Sequence, residues 1–206
     1  MTEPAQTPDP SSSEVAAAEP LPPRKVVLLS VIAATVVILD LISKIIVVAT
    51  VQPNQPVRIL GGLVYFSLIR NSGAAFSMAT GLTWLLALVA IAVVVVIIRM
   101  APRLRSTPWA VSLGLVLGGA LGNLIDRIFR SPGFLQGHVV DFVSVFGPNA
   151  EYFPVFNVAD SAITIGGISL VITALLGIDF DGTSTRKKKT PQKNAEDLPA
   201  ESDDSA

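Results

Sequence analysis

The chain has 206 residues, of which 50% are hydrophobic and only 15% charged, with one histidine and no cysteine. A typical soluble domain carries about 25% charged residues, so this composition indicates a membrane protein. The net charge of −1 gives no bias toward nucleic acid, and the cysteine and histidine counts exclude disulfides, thiol catalysis and zinc sites built on cysteines or several histidines. We therefore expect no nucleic acid partner, no metal and no cofactor, and a chemistry based on carboxylates, hydroxyls or lysine.

Polar segments flank an apolar central region. Residues 1–23 are rich in proline, serine, alanine and glutamate, and residues 179–206 combine a basic run with several acidic residues. Both segments are predicted to be disordered tails, because they hold too little apolar surface to form a core. Residues 24–178 are predicted to form one membrane domain, with outer loops at residues 50–81 and 129–156.

Four apolar stretches reach the roughly 20 residues that a helix needs to cross a bilayer. They cover about Val26–Ala49, Leu82–Met100, Trp109–Ile128 and Asn157–Ile178. Each is predicted to be a helix despite its β-branched residues, because a helix satisfies its own backbone hydrogen bonds in lipid. Lysine and arginine concentrate before the first stretch, between the second and third, and after the fourth, which predicts that both termini are cytoplasmic.

The first outer loop has the pattern of a β-hairpin. Apolar runs at residues 57–60 and 63–69 flank the pair Gly61-Gly62, which predicts two strands joined by a two-glycine turn. The fold class is therefore predicted to be an all-α membrane protein, with four transmembrane helices and a small extracytoplasmic β-sheet from the first outer loop.

Four aspartates are predicted to lie at one depth, near the outer surface. At a rise of 1.5 Å per residue, Asp40 in the first helix and Asp126 in the third lie roughly 22–25 Å from the cytoplasmic helix ends. Asp160 begins the fourth helix, and Asp141 precedes it in the second outer loop. Because ionisable groups inside a membrane are costly, their convergence indicates a functional polar site.

Two of these aspartates are predicted to support the site rather than react. Asp40 and Lys44 are four residues apart, so they share a helix face and can form an ion pair. Asp126 shares a face with Asn123, while its neighbour Arg127 points elsewhere. Asp126 therefore needs a partner from another helix, for which Lys44 and the arginines are candidates.

Asp141 and Asp160 have no lysine or arginine within four positions. Two such carboxyl groups side by side would share one proton, so that one takes a proton from water while the other polarises a carbonyl. The alternative is a pair of carboxylates that only cap a helix start. A Lys44 hydrolase with Ser72 or Ser161 as nucleophile is a further alternative, which the nearby Asp40 opposes.

Five motifs follow one another in the order typical of the lipoprotein signal peptidases, the bacterial type II signal peptidases. They are Asp40–Lys44, Asn71–Ser77, Gly119–Arg127, Val139–Phe142 and Phe156–Ala162. This resemblance implies an aspartic endopeptidase of the bacterial cytoplasmic membrane with its active site facing outside. It would remove signal peptides from diacylglyceryl-modified prolipoproteins by cutting before the lipidated cysteine.

The resemblance also implies roles for particular residues. Asp141 and Asp160 match the catalytic pair of the family. The residues that match its substrate-contacting positions are Asn71, Asn123, Arg127 and Asn157. The implied partners are lipidated prolipoproteins, membrane lipid and globomycin-type inhibitors, and we expect a monomer. The stretch Ile128–His138 is longer than in compact members of the family and is a candidate outer lid.

Two other classes of function remain compatible with the residues alone. Intramembrane carboxylates also mark the proton relays of transporters, although such transporters usually show internal repeats and this sequence shows none. A membrane scaffold protein could instead use the same polar side chains only to hold its helices together.

Overall fold

The computed structural model describes residues 22–73 and 83–182. Residues 1–21, 74–82 and 183–206 lie outside it, and with them most of the two predicted tails and the end of the first predicted outer loop. Phe180, just inside the predicted C-terminal tail, packs edge-on against Trp109 with ring centroids 5.7 Å apart.

Four helices are present, each long and apolar enough to cross a membrane, as predicted. They are α1 (Val26–Thr50), α2 (Thr83–Met100), α3 (Thr107–Phe129) and α4 (Val158–Leu175). The boundaries agree with the prediction within three residues. Helix α4 ends earlier than expected, since Gly177 adopts a φ of 67°, the left-handed conformation typical of a glycine just past a helix end.

Helix α3 is the centre of the bundle. Of its most apolar window, 61% is buried, compared with 22% in each of the other three helices. Its glycines allow this close packing, as expected from their spacing. A Cβ atom on Gly118 would lie 2.6 Å from the Val36 Cβ in α1, and one on Gly119 would lie 2.7 Å from the Ile163 Cγ1 in α4. No larger residue fits at either position without moving a helix.

The small sheet has three antiparallel strands in the order β1 (Val57–Ile59), β2 (Val64–Asn71) and β3 (Val139–Val145). The first two form the predicted hairpin, in which Leu60 joins the two glycines in a 3₁₀ turn. The third strand comes from the second outer loop, so it corrects our placement of Asp141 in a loop. Because most residues of β3 are buried on both faces, its sequence lacks the alternating pattern that predicts a strand.

Two apolar clusters hold these elements together. The larger lies among α1, α2 and α3 and contains Leu29, Ala33, Ile97, Leu104, Ala110, Leu113 and Leu117. The smaller joins the end of α1 to strand β3 and contains Val47, Val51, Val140 and Phe142. The second cluster fixes β3 against the end of the bundle, which sets the position of Asp141 relative to the helices.

Candidate active site

The two predicted catalytic aspartates come from different elements. Asp141 lies on β3 and is only 2% exposed, while Asp160 lies in the first turn of α4. Asn157 caps this helix: its side chain accepts a hydrogen bond from the Asp160 N–H at 2.9 Å, and Asp160 Oδ2 accepts one from the Asn157 N–H at 3.2 Å. This reciprocal capping box fixes the Asp160 side chain at the start of the helix.

Both carboxyl groups line one cavity of about 760 Å³. Three of the four predicted substrate-contacting residues line it as well: Asn71, Asn123 and Arg127. The structure therefore brings together residues that are separated by up to 89 positions between Asn71 and Asp160. Asn157 is fully buried beside the two acids.

Three asparagine side chains hold the two acids. Asn71 Nδ2 donates to Asp141 Oδ2 at 2.8 Å, and Asn157 Nδ2 donates to Asp141 Oδ1 at 2.7 Å. Asn123 Nδ2 donates to Asp160 Oδ1 at 2.7 Å. Since Asn157 Nδ2 also lies 3.1 Å from Asn123 Oδ1, the amides connect the two carboxyl groups in one network.

Burial and, next in importance, the negative charge of Asp160 raise the pKa of Asp141 to about 7. Hydrogen bonds from Asn71 and Asn157 and the charge of Lys44 oppose this shift, because they favour the ionised carboxylate. Asp141 is therefore only partly ionised near neutral pH, and a carboxyl group that still holds its proton can donate it to a carbonyl oxygen.

A cluster of charged side chains lies behind the cavity. Lys44 Nζ lies 2.6 Å from Asp40 Oδ2 and 3.0 Å from Asp126 Oδ2, with all three side chains at most 1% exposed. The ion pair predicted from the Asp40–Lys44 spacing is thus present, and Lys44 is also the partner that Asp126 needed. At the edge of the cluster, Arg130 Nε lies 2.5 Å from Asp126 Oδ1. Arg130 is one of the arginines that the sequence left as candidates for Asp126, and it lies four residues after this aspartate.

Arg127 provides a positive charge at the cavity wall. Its Nη1 donates to the Asn123 carbonyl oxygen at 3.2 Å, and its buried Nε has no hydrogen-bond partner among residues 22–73 and 83–182. A guanidinium held in this way can donate to a carbonyl oxygen that enters the cavity.

The hydroxyl alternative receives no support from the geometry. Ser72 and Ser161 line the cavity, but Lys44 Nζ is already engaged by two carboxylates and an amide oxygen. The Ser161 hydroxyl donates to the Asn157 carbonyl oxygen at 3.0 Å. In the part of the chain that the structure describes, no group of three histidine, cysteine, aspartate or glutamate residues is placed to hold a metal ion.

One wall of the cavity was not predicted from the sequence. Ala150, Phe153 and other residues that follow β3 line it. Two buried serines hold this segment: Ser67 Oγ accepts from the Asn149 N–H at 3.1 Å, and Ser144 Oγ accepts from the Ala150 N–H at 3.3 Å. Serines spaced along a strand give no signal of such a role before the sheet is known.

Comparisons with known proteins find relatives that match most of the chain. The family model described as signal peptidase (SPase) II matches residues 32–176. The lipoprotein signal peptidase of Rhodococcus jostii (strain RHA1) is 55% identical over 175 residues, which is 85% of each chain. The lipoprotein signal peptidase of Mycobacterium avium (strain 104) is 54% identical over 167 residues, which is 81% of this chain and 89% of that one.

Two solved structures share the fold, and both are described as bacterial membrane enzymes studied by the in meso method. One, at 2.3 Å resolution, has a TM-score of 0.69 and 28% identity, and the match covers 84% of this chain and 99% of that one. The other, at 1.9 Å, has a TM-score of 0.63 and 30% identity over 74% of this chain and 95% of that one. The chain therefore belongs to the lipoprotein signal peptidase (signal peptidase II) family, and it is a multi-pass membrane protease.

Proposed function

We propose that this peptidase is of the aspartic type and cuts diacylglyceryl-modified prolipoproteins immediately before the lipidated cysteine. The observation that carries the proposal is the pair Asp141 and Asp160, which line one cavity and are connected through Asn123 and Asn157. The pKa of Asp141, raised to about 7, leaves one shared proton on this pair at neutral pH.

The reaction uses a water molecule and this shared proton. Asp160 removes a proton from the water as its oxygen attacks the carbonyl carbon of the scissile peptide, and Asp141 donates its proton to the carbonyl oxygen. Collapse of the tetrahedral intermediate breaks the C–N bond. The amine that leaves takes the proton held by Asp160, and the hydroxyl proton returns to Asp141, which restores the starting state.

The cavity offers hydrogen-bond donors for an extended substrate backbone. We assign substrate contact to Asn71, Asn123 and Arg127, which line the cavity. Asn157 is fully buried and its amide holds Asp141 Oδ1 at 2.7 Å, so we assign it to the orientation of that acid. Globomycin-type inhibitors would compete for the same donors, and the lipid part of the substrate would stay in the surrounding bilayer.

Loss of the acids should abolish cleavage. In purified monomeric enzyme, Asp141→Asn and Asp160→Asn are each expected to lower kcat on a lipidated prolipoprotein by about a thousandfold or more, since catalytic aspartates act in the reaction itself. Glu151→Gln removes an exposed carboxylate from the outer loop and is the matched control. Turnover near that of the control in either variant would exclude the pair mechanism, because the enzyme would then cleave its substrate without one of the two acids.

The orientation in the membrane follows from the basic residues. We propose that both termini and the α2–α3 connection are cytoplasmic and that the sheet and cavity face outside. Because the chain has no cysteine, single cysteines at the exposed positions Gln55 and Thr107 report the two sides. In intact cells an impermeant maleimide should label Gln55→Cys and leave Thr107→Cys unmodified, and the reverse pattern would invert the topology.

A further inference from the structure

The buried charged cluster of Asp40, Lys44 and Asp126 contributes no residue to the wall of the cavity. Its side chains are at most 1% exposed. Burying a salt bridge costs desolvation energy that its own attraction often fails to recover. The contacts that these three side chains make outside the cluster indicate what the arrangement does for the enzyme.

Asp40 holds the backbone beside one catalytic acid. Its Oδ1 accepts a hydrogen bond from the N–H of Ala159 at 2.9 Å, while its Oδ2 faces Lys44. Ala159 directly precedes Asp160 and is fully buried. A carboxylate from α1 therefore fixes the peptide that carries Asp160 at the start of α4.

Asp126 makes the equivalent contact beside the other acid. Its Oδ2 accepts a hydrogen bond from the N–H of Val140 at 3.1 Å and also lies 3.0 Å from Lys44 Nζ. Val140 directly precedes Asp141 on β3 and is fully buried. The backbone beside each catalytic acid, one on a strand and one on a helix, is thus held by a carboxylate that pairs with the same ammonium group of Lys44.

Lys44 also fixes a side chain that touches the pair. It donates to Asn123 Oδ1 at 3.1 Å, and an ammonium group can only donate hydrogen bonds. The amide of Asn123 must therefore turn its oxygen toward Lys44 and its nitrogen toward Asp160 Oδ1, at 2.7 Å. With the amide reversed, its oxygen would face the carboxylate and the hydrogen bond would be lost.

We propose that Asp40, Lys44 and Asp126 are positioning residues for the peptidase reaction. The two carboxylates hold the peptide before each catalytic acid, and Lys44 sets the orientation of Asn123. This inference rests on the catalytic pair proposed above. It predicts that disturbing the cluster lowers kcat by more than it changes KM, because the three side chains contact the supports of the two acids and do not themselves line the cavity.

The neutral double variant Asp40→Asn/Lys44→Met tests the role of Lys44. The asparagine oxygen can still accept from the Ala159 N–H, and removing both charges leaves no unpaired charge between these two positions. We expect kcat to fall by about 10- to 100-fold, as for small displacements of reacting groups, with KM within about twofold of wild type. An unchanged kcat would overturn the proposal.

A mutant cycle with Asn123→Ala separates positioning from general stability. If Lys44 acts through Asn123, the neutral double variant should lower single-turnover kcat in the presence of Asn123 and change it less than about twofold in the Asn123→Ala background. Equal losses in both backgrounds would show that Lys44 does not act through this amide and would overturn its assignment.

If the neutral double variant does not fold, a second pair of variants tests whether the cluster positions the catalytic acids. Asp126→Asn keeps an oxygen for the Val140 N–H and for Lys44, and the partly exposed Arg130 can turn to solvent; Asp126→Ala keeps neither contact. We expect kcat of the asparagine variant to exceed that of the alanine variant by about tenfold or more, and equal values would overturn the proposal. Asp141→Asn and Asp160→Asn, measured beside them, report separately on whether the catalytic pair exists.

Discussion

The two ends of the helical bundle are built in different ways. Toward the loop between α2 and α3, the helices meet through aliphatic side chains such as Leu29, Leu113 and Leu117. Toward the sheet, they meet through the charged cluster and the asparagine network. Apolar packing in a membrane is non-directional and needs only close fit, whereas hydrogen-bonded charges fix angles as well as distances. One end of the bundle therefore supplies cohesion, and the other supplies the geometry of the cavity.

The end of the bundle toward the sheet, with its charged cluster and asparagines, is called the polar end below. The largest effect on stability should come from leaving buried charges unpaired there. Lys44→Ala removes the ammonium that faces two carboxylates, and breaking a buried pair costs about 3–5 kcal/mol. We expect a large loss of unfolding free energy in detergent. The control is Arg99→Ala, which removes an exposed cation from the last turn of α2. If the two variants are equally stable, the polar end does not depend on paired charge.

The next effect tests close fit in the bundle. A Cβ on Gly118 would lie 2.6 Å from the Val36 Cβ, whereas one on Gly167 in α4 meets open space. Overpacking costs about 1–3 kcal/mol, so Gly118→Ala should lower the unfolding temperature. Gly167→Ala should leave it unchanged or slightly raised, because alanine is the better helix former.

The same two variants also test whether the two ends of the bundle act independently. Since Gly118 lies away from the cavity, kcat of the folded Gly118→Ala enzyme should stay close to that of wild type. A fall in kcat comparable to that expected for the charged-cluster variants would show that helix packing at Gly118 also sets the positions of the catalytic acids.

The pH dependence is a further measure of the polar end. Because the pKa of Asp141 is raised to about 7, kcat/KM should fall about tenfold per pH unit above that value as the shared proton is lost. The native state binds this proton more tightly than the unfolded chain does. The contribution to stability is therefore largest at low pH and declines as pH rises from the ordinary value of 3.8 through about 7.

Asp141→Asn provides the control for this titration. The variant should show a smaller decline in unfolding temperature between about pH 4 and pH 7 than wild type does, since one group that takes up a proton in the native state is gone. A wild-type pH–rate profile that stays flat to pH 9 would contradict the assignment of the shared proton to Asp141.

The same contrast explains how much could be predicted from the sequence. The four helices follow from apolar length alone, which is the property that a bilayer selects. The Asp40–Lys44 pair follows from a spacing of four residues within one helix. The meeting of Asn123 with Asn157 depends on how α3 and α4 pack, and no local pattern contains that information.

Strand β3 shows a second limit. Val139–Val145 is buried on most of both faces, so its sequence lacks the apolar–polar alternation of a strand with one exposed face. Asp141 could be singled out as a carboxyl group without a nearby lysine or arginine, but its place on a strand could not. Its partners Asn71 and Asn157 lie 70 and 16 positions away in the chain and became visible only once β2, β3 and α4 were placed.

The smallest effect is expected at the outer margin of the polar end, where the segment after β3 forms the cavity wall. Ser144 Oγ donates to the Gly147 carbonyl oxygen at 2.7 Å and accepts from the Ala150 N–H at 3.3 Å. Ser144→Ala should cost about 1 kcal/mol and raise KM a few-fold with kcat nearly unchanged, because the segment borders the cavity and does not contact the acids through this serine. Thr35→Ala, which removes a hydroxyl that bonds to Val31 within α1, is the matched control. If both variants have the same KM, the two hydrogen bonds of Ser144 do not shape the cavity. The geometry of the site would then depend on the charged cluster and the asparagines alone.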